Sequence, residues 1–156
     1  MLEDEMTSQN IDKNAYKTEI ARKYTSFLAK YPEIFSDLIS GSDFDFALYN
    51  SLEAYDKRSP VDIFHVYRNG NGIEIKPGSA VDSDLELALS LDAVEKLIQT
   101  KTKVEYAQLL GSFYNEPDEE RGWIDFVLHK RTQTLISMGY GKFAQTAGIL
   151  NDYDEI

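Results

Sequence analysis

Two histidines are the only imidazole side chains that the chain could use as a base or as a metal ligand. His65 lies in a run of β-branched and aromatic residues, and His129 stands beside two cations, Lys130 and Arg131. Neither histidine has a second histidine or a carboxylate at the spacing of a known metal-binding motif. We therefore expect structural or surface roles for both.

Carboxylates are abundant, and two pairs of aspartates stand two positions apart: Asp43 with Asp45, and Asp82 with Asp84. Residues at this spacing share one face of a strand. A calcium loop needs more oxygen ligands, a glycine and a closing glutamate, and no segment has that pattern. The sequence therefore predicts no metal site.

Two glycine-rich segments are candidates for phosphate binding. Residues 69–72, Asn-Gly-Asn-Gly, lack the GxGxxG spacing and open no helix, so a tight turn explains them. Residues 139–142, Gly-Tyr-Gly-Lys, could place backbone amides and a lysine at the start of a helix, which suits an anion. A simple break between two helices explains the same residues, and we favour it. No serine lies in a nucleophile-elbow motif, so we expect no enzymatic activity and no cofactor.

Net charge limits the partners that the chain can have. There are 16 Lys and Arg residues against 27 Asp and Glu residues, and the formal net charge is −11. Such a field repels nucleic acid and an anionic membrane surface, so we expect neither nucleic-acid binding nor stable membrane insertion. The absence of cysteine excludes disulfides and thiolate ligands. The acidic N-terminus lacks the positive charge of a signal peptide, and we expect a cytoplasmic protein.

The first third of the chain has mainly helical patterns. Residues 1–14 are polar and without apolar periodicity, which indicates a flexible arm. From Tyr16 to Tyr31, apolar residues recur at spacings of three and four, as in an amphipathic helix. Pro32 cannot lie inside that helix and suits the first turn of a new one. Residues 43–52 alternate as a strand does but also fit one face of a helix, and propensity does not decide between them.

The remainder predicts strands first and helices later. Residues 61–68 and 73–76 are rich in β-branched residues and flank the tight turn, as in a β-hairpin. Residues 84–89 alternate, which predicts a half-buried strand with one side in water. Residues 123–128 are apolar on both faces apart from Asp125, which predicts a strand inside the sheet.

Helical patterns occupy residues 90–98, 104–113 and 132–150, and the last of these is interrupted at Gly139 and Gly141. Gly111 would either end the second helix or allow close packing. Residues 115–122 predict an exposed acidic loop. Because strands cluster early and do not alternate regularly with helices, we expect an α+β fold with a mainly antiparallel sheet covered by helices on one face.

The final helical region carries bulky apolar residues with small residues between them, and it would face the apolar sides of the predicted strands. Complete packing there would make an ordinary core, whereas incomplete packing would leave a lipid-sized pocket. The sequence pattern leaves both possibilities open. The residues that would bind a ligand in such a pocket are Leu87, Leu89, Leu109, Phe113, Phe126, Leu128, Met138, Phe143 and Ile149.

Several segments of the chain share their pattern and order with a known family. They are Asn71–Gly78, Asp84–Leu91, Val94–Ile98, Tyr106–Gly111, the strand at Trp123, and Met138–Ala144. On these segments, residues 61–150 resemble the SCP-2 (sterol carrier protein 2) family. The resemblance implies a five-stranded, mostly antiparallel sheet with helices on one face around an apolar tunnel. It makes residues 44–52 the first strand, and it implies non-covalent binding of a fatty acyl chain, a sterol or a similar lipid without catalytic residues.

The expected organisation is an arm at 1–14, one SCP-2-like domain at 15–150 with a helical extension at 15–41, and an acidic tail at 151–156. The long helical extension and the acidic loop at 115–120 depart from the family pattern. Our first hypothesis is non-catalytic binding, with transfer, of a hydrophobic small molecule between the sheet and the C-terminal helix. The alternative is a protein-interaction module that forms a homodimer through the aromatic residues of its N-terminal helices.

Overall fold

Five strands form one mixed sheet in the computed structural model, which describes residues 15–149. The strands are β1 (Asp43–Tyr49), β2 (Asp62–Asn69), β3 (Gly72–Pro77), β4 (Leu85–Ser90) and β5 (Ile124–Leu128). Their order across the sheet is β3-β2-β1-β4-β5. Three neighbouring pairs are antiparallel, and only β1 with β4 is parallel. The predicted α+β fold with a mostly antiparallel five-stranded sheet is confirmed, whereas the predicted arm and tail lie outside the described residues.

Six α-helices and one 3₁₀ turn surround this sheet within the described residues. They are α1 (Glu19–Lys30), the 3₁₀ turn (Pro32–Phe35), α2 (Leu52–Asp56), α3 (Leu91–Leu97), α4 (Lys103–Asn115), α5 (Thr132–Ser137) and α6 (Tyr140–Ala147). Four of the helices begin after a Ser or Thr whose hydroxyl accepts a hydrogen bond from a backbone N–H of the first turn. These residues are Thr18, Ser51, Ser90 and Thr102.

The ambiguous segment 43–52 contains a strand and the start of a helix. Residues 43–49 pair with β2 and β4, so the alternation of Phe44, Phe46 and Leu48 reflects strand geometry. The three side chains are buried on the same face of the sheet. α2 then begins at Leu52 after its Ser51 cap.

The main core lies between this face of the sheet and the helices. The rings of Phe46 and Phe64 stack at 4.8 Å, and Tyr24 of α1 meets both rings edge-on. Asp62 fixes the start of α1, because its carboxylate accepts hydrogen bonds from the backbone of Lys17 and Thr18. The helical extension is therefore an integral part of the core.

The opposite face of the sheet is covered in part by α2. Its Tyr55 ring lies 5.1 Å from Tyr49 and 5.3 Å from Trp123, and Ala88 is fully buried beneath this cluster. The expectation that residues 84–89 keep one side in water is wrong at Ala88, which is fully buried beneath the α2 cluster, whereas Glu86 on the same side stays partly exposed. The expectation that residues 123–128 lie inside the sheet is also wrong, since β5 is an edge strand. Ile124 and Phe126 of β5 pack on the core face, and Trp123, just before β5, packs on the opposite face.

Candidate ligand-binding cavity

A cavity of about 60 Å³ lies between the core face of the sheet, α4, and the C-terminal segment formed by α5 and α6. Among residues 15–149, no charged side chain lines it, and the only side-chain polar groups that line it are the hydroxyls of Tyr106, Thr132 and Tyr140. The lining residues are Phe35, Leu38, Phe44, Phe46, Leu85, Leu87, Tyr106, Leu110, Phe126, Leu128, Thr132, Leu135, Ile136, Tyr140, Gly141, Phe143, Ala144 and Ile149. An interior of this kind suits an apolar ligand.

Five of the nine residues expected to bind a ligand line this cavity. They are Leu87, Phe126, Leu128, Phe143 and Ile149. The register of β4 with β5 explains why Leu89 does not: it pairs with Ile124, two positions beyond the pair of Leu87 with Phe126. The cavity therefore lies toward the end of this strand pair at which β4 begins and β5 ends. Leu89, nearer the other end, is part of the filled core.

The other three expected residues lie around the cavity without lining it. On α4, Tyr106 and Leu110 face the cavity one turn apart, whereas Phe113 is fully buried in the core and Leu109 packs at its margin. Met138 follows α5, and its carbonyl accepts a hydrogen bond from the Ile39 N–H at 2.9 Å. Its role in the structure is thus to hold the C-terminal segment against the 3₁₀ turn.

The wall opposite the C-terminal segment contains residues that the sequence analysis did not assign to the site. Phe35 and Leu38 come from the 3₁₀ turn and the residues after it, and Phe44 and Phe46 come from β1. The signal was present in the apolar stripe after Pro32 and in the strand-like alternation of residues 44–48. Reading residues 43–49 as a strand would have placed both phenylalanines on the core face.

The cavity reaches the surface between the end of β5 and α5. Leu128 and Ile136 line the cavity, yet they keep 39% and 42% of their area exposed. Thr132, at the start of α5, lies in the same lining. We call this opening, formed by Leu128, Thr132 and Ile136, the mouth.

The C-terminal segment is tied to the sheet by Asp84, whose side chain is nearly fully buried. Lys130 Nζ donates to Asp84 Oδ1 at 2.6 Å, and the Tyr140 hydroxyl donates to Oδ2 at 2.7 Å. The Asp43 N–H donates to the same Oδ2 at 2.9 Å. Burial, followed by the bond to Asp84, raises the pKa of Tyr140, so its hydroxyl remains a donor.

Gly139 separates α5 from α6, which confirms the predicted break between two helices. Its φ of +105° lies in the left-handed region, and a Cβ at this position would approach the carbonyl oxygen of Asp37 to 1.9 Å. Glycine is required here both by the backbone conformation and by the close approach of the 3₁₀ region. Lys142, the cation of this segment, lies 4.0 Å from Asp37 Oδ1.

Neither histidine lines the cavity. His65 Nδ1 lies 2.7 Å from Asp43 Oδ1 on the opposite face of the sheet, and the His129 N–H donates to the Asp84 carbonyl. Among residues 15–149, no group of three His, Asp or Glu side chains is placed to hold a metal ion.

Over the same range, every helix is too short or too polar to cross a bilayer. Comparisons of the chain with protein-family models, with curated proteins and with solved structures found no match.

Proposed function

We propose that the protein binds a hydrophobic small molecule, a fatty acyl chain or a sterol-like lipid, non-covalently in this cavity and releases it by transfer. The observation that carries the proposal is an apolar cavity to which residues 15–149 contribute no charged side chain, and which opens at a mouth flanked by exposed Leu128 and Ile136. Each CH₂ group buried there contributes about 0.8 kcal/mol before ordering costs. We further propose a cytoplasmic location, in keeping with the acidic composition.

The size of the cavity implies a conformational change on binding. A cavity of about 150 Å³ accommodates benzene, whereas the volume here is about 60 Å³. A lipid chain therefore enters only when α5 and α6 move away from the sheet. α5 is suited to this movement, because Leu135 is its only buried residue.

The resemblance of residues 61–150 to the SCP-2 family supports the same proposal, because that family binds lipids in an apolar tunnel without catalytic residues. The homodimer alternative has less support. Tyr16 and Tyr24, two of the aromatic residues that would form its contact, are buried inside the chain. We therefore retain the dimer only as an outcome of the first experiment.

That experiment is native mass spectrometry of the purified protein, followed by denaturation and analysis of released small molecules. A fatty acid or another lipid at near-stoichiometric amounts would support the proposal and identify the ligand class. An empty monomer that also fails to bind added methyl palmitate, a neutral acyl ester, in titration would contradict it. An empty stable dimer would favour the interaction module.

Phe126→Trp tests the position of the site. Phe126 is partly buried and lines the cavity, so a larger ring should occupy ligand space while the fold accommodates it. We expect the affinity for methyl palmitate to fall by at least about fivefold, with a cooperative unfolding transition retained. Val104→Trp, at an exposed position of α4 outside the lining, is the control and should bind as the wild type does. Unchanged affinity of folded Phe126→Trp would exclude this strand from the site.

A further inference from the structure

Two buried tyrosines meet at the inner wall of the cavity. The hydroxyls of Tyr24 and Tyr106 lie within hydrogen-bonding distance of each other. Tyr24 is fully buried and Tyr106 retains 1% of its area exposed. Within residues 15–149, neither hydroxyl has any other hydrogen-bond partner. The pair is therefore a closed polar unit in apolar surroundings.

The pair has one donor proton more than it can use. Each phenol carries one O–H donor, and the single bond between the two hydroxyls uses one proton. Burial raises the pKa of both tyrosines, so both protons are present at neutral pH. The second proton has no acceptor among the described residues, and an unpaired buried donor is costly.

The surroundings of the two rings decide where an acceptor could reach that second proton. The Tyr24 ring is enclosed by Phe46 and Phe64, which it meets edge-on at 5.6 and 5.8 Å, and it does not line the cavity. Tyr106 does line the cavity. When Tyr24 donates to Tyr106, the spare proton belongs to Tyr106, which is the one of the two tyrosines that lines the cavity.

We infer that the cavity selects an apolar ligand whose buried end carries a neutral oxygen acceptor, which the Tyr106 hydroxyl hydrogen-bonds while Tyr24 donates to Tyr106. A carbonyl, ether or hydroxyl oxygen meets this requirement. A hydrocarbon end leaves the Tyr106 proton unpaired, and a carboxylate end would bring an uncompensated charge into an apolar wall. This inference rests on the proposed function and narrows its ligand class.

The other lining hydroxyls do not provide the same interaction. Tyr140 already donates to Asp84, and Thr132 lies at the mouth, where the end of a ligand remains near solvent. Tyr106 is thus the residue that distinguishes an oxygen-bearing buried end from a hydrocarbon end.

A matched pair of probes tests the inference: methyl octyl ketone and the alkene of the same shape, in which =CH₂ replaces the carbonyl oxygen. Dissociation constants for both are measured by titration with the wild type, Tyr106→Phe and Tyr24→Phe. We expect the preference for ketone over alkene to fall by about five- to tenfold in Tyr106→Phe. Tyr24→Phe should keep the preference, because it leaves the Tyr106 donor in place.

The outcomes separate this inference from the proposed function. If the alkene binds and the ketone-to-alkene ratio is the same in the wild type and Tyr106→Phe, the cavity binds apolar molecules but the inference is wrong. If neither probe binds the wild type, both are wrong. Should Tyr106→Phe fail to fold, infrared spectroscopy of the ketone bound to the wild type decides: a carbonyl band below its position in alkane solvent supports the bond, and an unshifted band overturns it.

Discussion

The carboxylate of Asp84 receives hydrogen bonds from three separate parts of the chain. Lys130 comes from the loop before α5, Tyr140 begins α6, and the third donor is the backbone N–H of Asp43 in β1. A buried carboxylate is tolerated only when its charge is paired and its lone pairs are used. These bonds join both ends of α5 to the sheet, so they oppose the movement that ligand entry requires.

Asp84→Ala is expected to lower the free energy of unfolding by about 2 to 4 kcal/mol, because the Tyr140 hydroxyl and the Asp43 N–H lose their acceptor and Lys130 keeps only Asp82. Tyr140→Phe removes one bond and should cost about 1 to 2 kcal/mol. Asp82→Ala is the control, since Asp82 is exposed and lies 3.6 Å from the same lysine. Urea denaturation measures all three. Equal losses for Asp82→Ala and Asp84→Ala would show that the buried bonds contribute nothing.

Glu86, on the face of the sheet that α2 partly covers, makes the stability of the protein depend on pH. Its Oε2 is buried without a hydrogen-bond partner, and burial raises the pKa of this carboxyl, with Arg58 opposing the shift and Asp45 adding to it. The folded state then holds the proton more tightly than the unfolded chain does. This contribution to stability is fully present below the usual carboxyl pKa and is lost as pH rises through the raised value.

Glu86→Gln should remove this loss of stability at higher pH, because glutamine does not ionise. Compared with the wild type, the variant is expected to gain stability progressively as pH rises from about 4 to 7. Urea denaturation across this range measures the difference, with exposed Glu95→Gln as the control. A difference from the wild type that stays constant with pH would contradict the raised pKa.

At the scale of elements, small residues line the contact between α4 and α6 and allow the two helices to approach closely. Ala107, Ala144 and Ala147 are buried there. A Cβ on Gly111 would approach the carbonyl oxygen of Ala147 to 1.8 Å. Gly111 therefore lies within a continuous α4 and permits close approach, which is one of the two roles that the sequence left open.

Gly111→Ala should push α6 away from α4 and lower the free energy of unfolding by about 2 to 3 kcal/mol. Gly72→Ala is the matched control, since the nearest atom to its added Cβ lies 3.8 Å away. Thermal and urea unfolding compare the two variants. If Gly111→Ala is as stable as Gly72→Ala, the two helices can separate without cost, and the contact does not hold α6 in place.

At the scale of the whole molecule, local patterns predicted the elements better than they predicted the cavity. The 69–72 turn and the break at Gly139 are decided by nearby residues, and the structure contains both. The edge position of β5 and the burial of Ala88 depend on which elements meet across long distances in sequence. Leu89 and Leu87 have the same local pattern and both are buried, and it is their register with β5 that distinguishes Leu87, which lines the cavity, from Leu89, which does not.

The parallel pairing of β1 with β4 determines how much chain entropy is lost when the sheet assembles. β2 and β3 close over a two-residue turn, whereas the Asp43–Asp84 bond beside the β1–β4 pair joins residues 41 positions apart. Bringing such distant segments together consumes chain entropy before their contacts stabilise the protein. We expect the β1–β4 junction to form in the rate-limiting step of folding.

Leu89→Ala, in this junction, should therefore slow folding, whereas Leu135→Ala, in α5, should mainly accelerate unfolding. Stopped-flow measurements over a range of urea concentrations separate the two rates. An unchanged folding rate in destabilised Leu89→Ala would contradict this order of events. If the order holds, the sheet is complete before the C-terminal segment docks, and the segment over the cavity can open in the native protein without reversing the slowest step of folding.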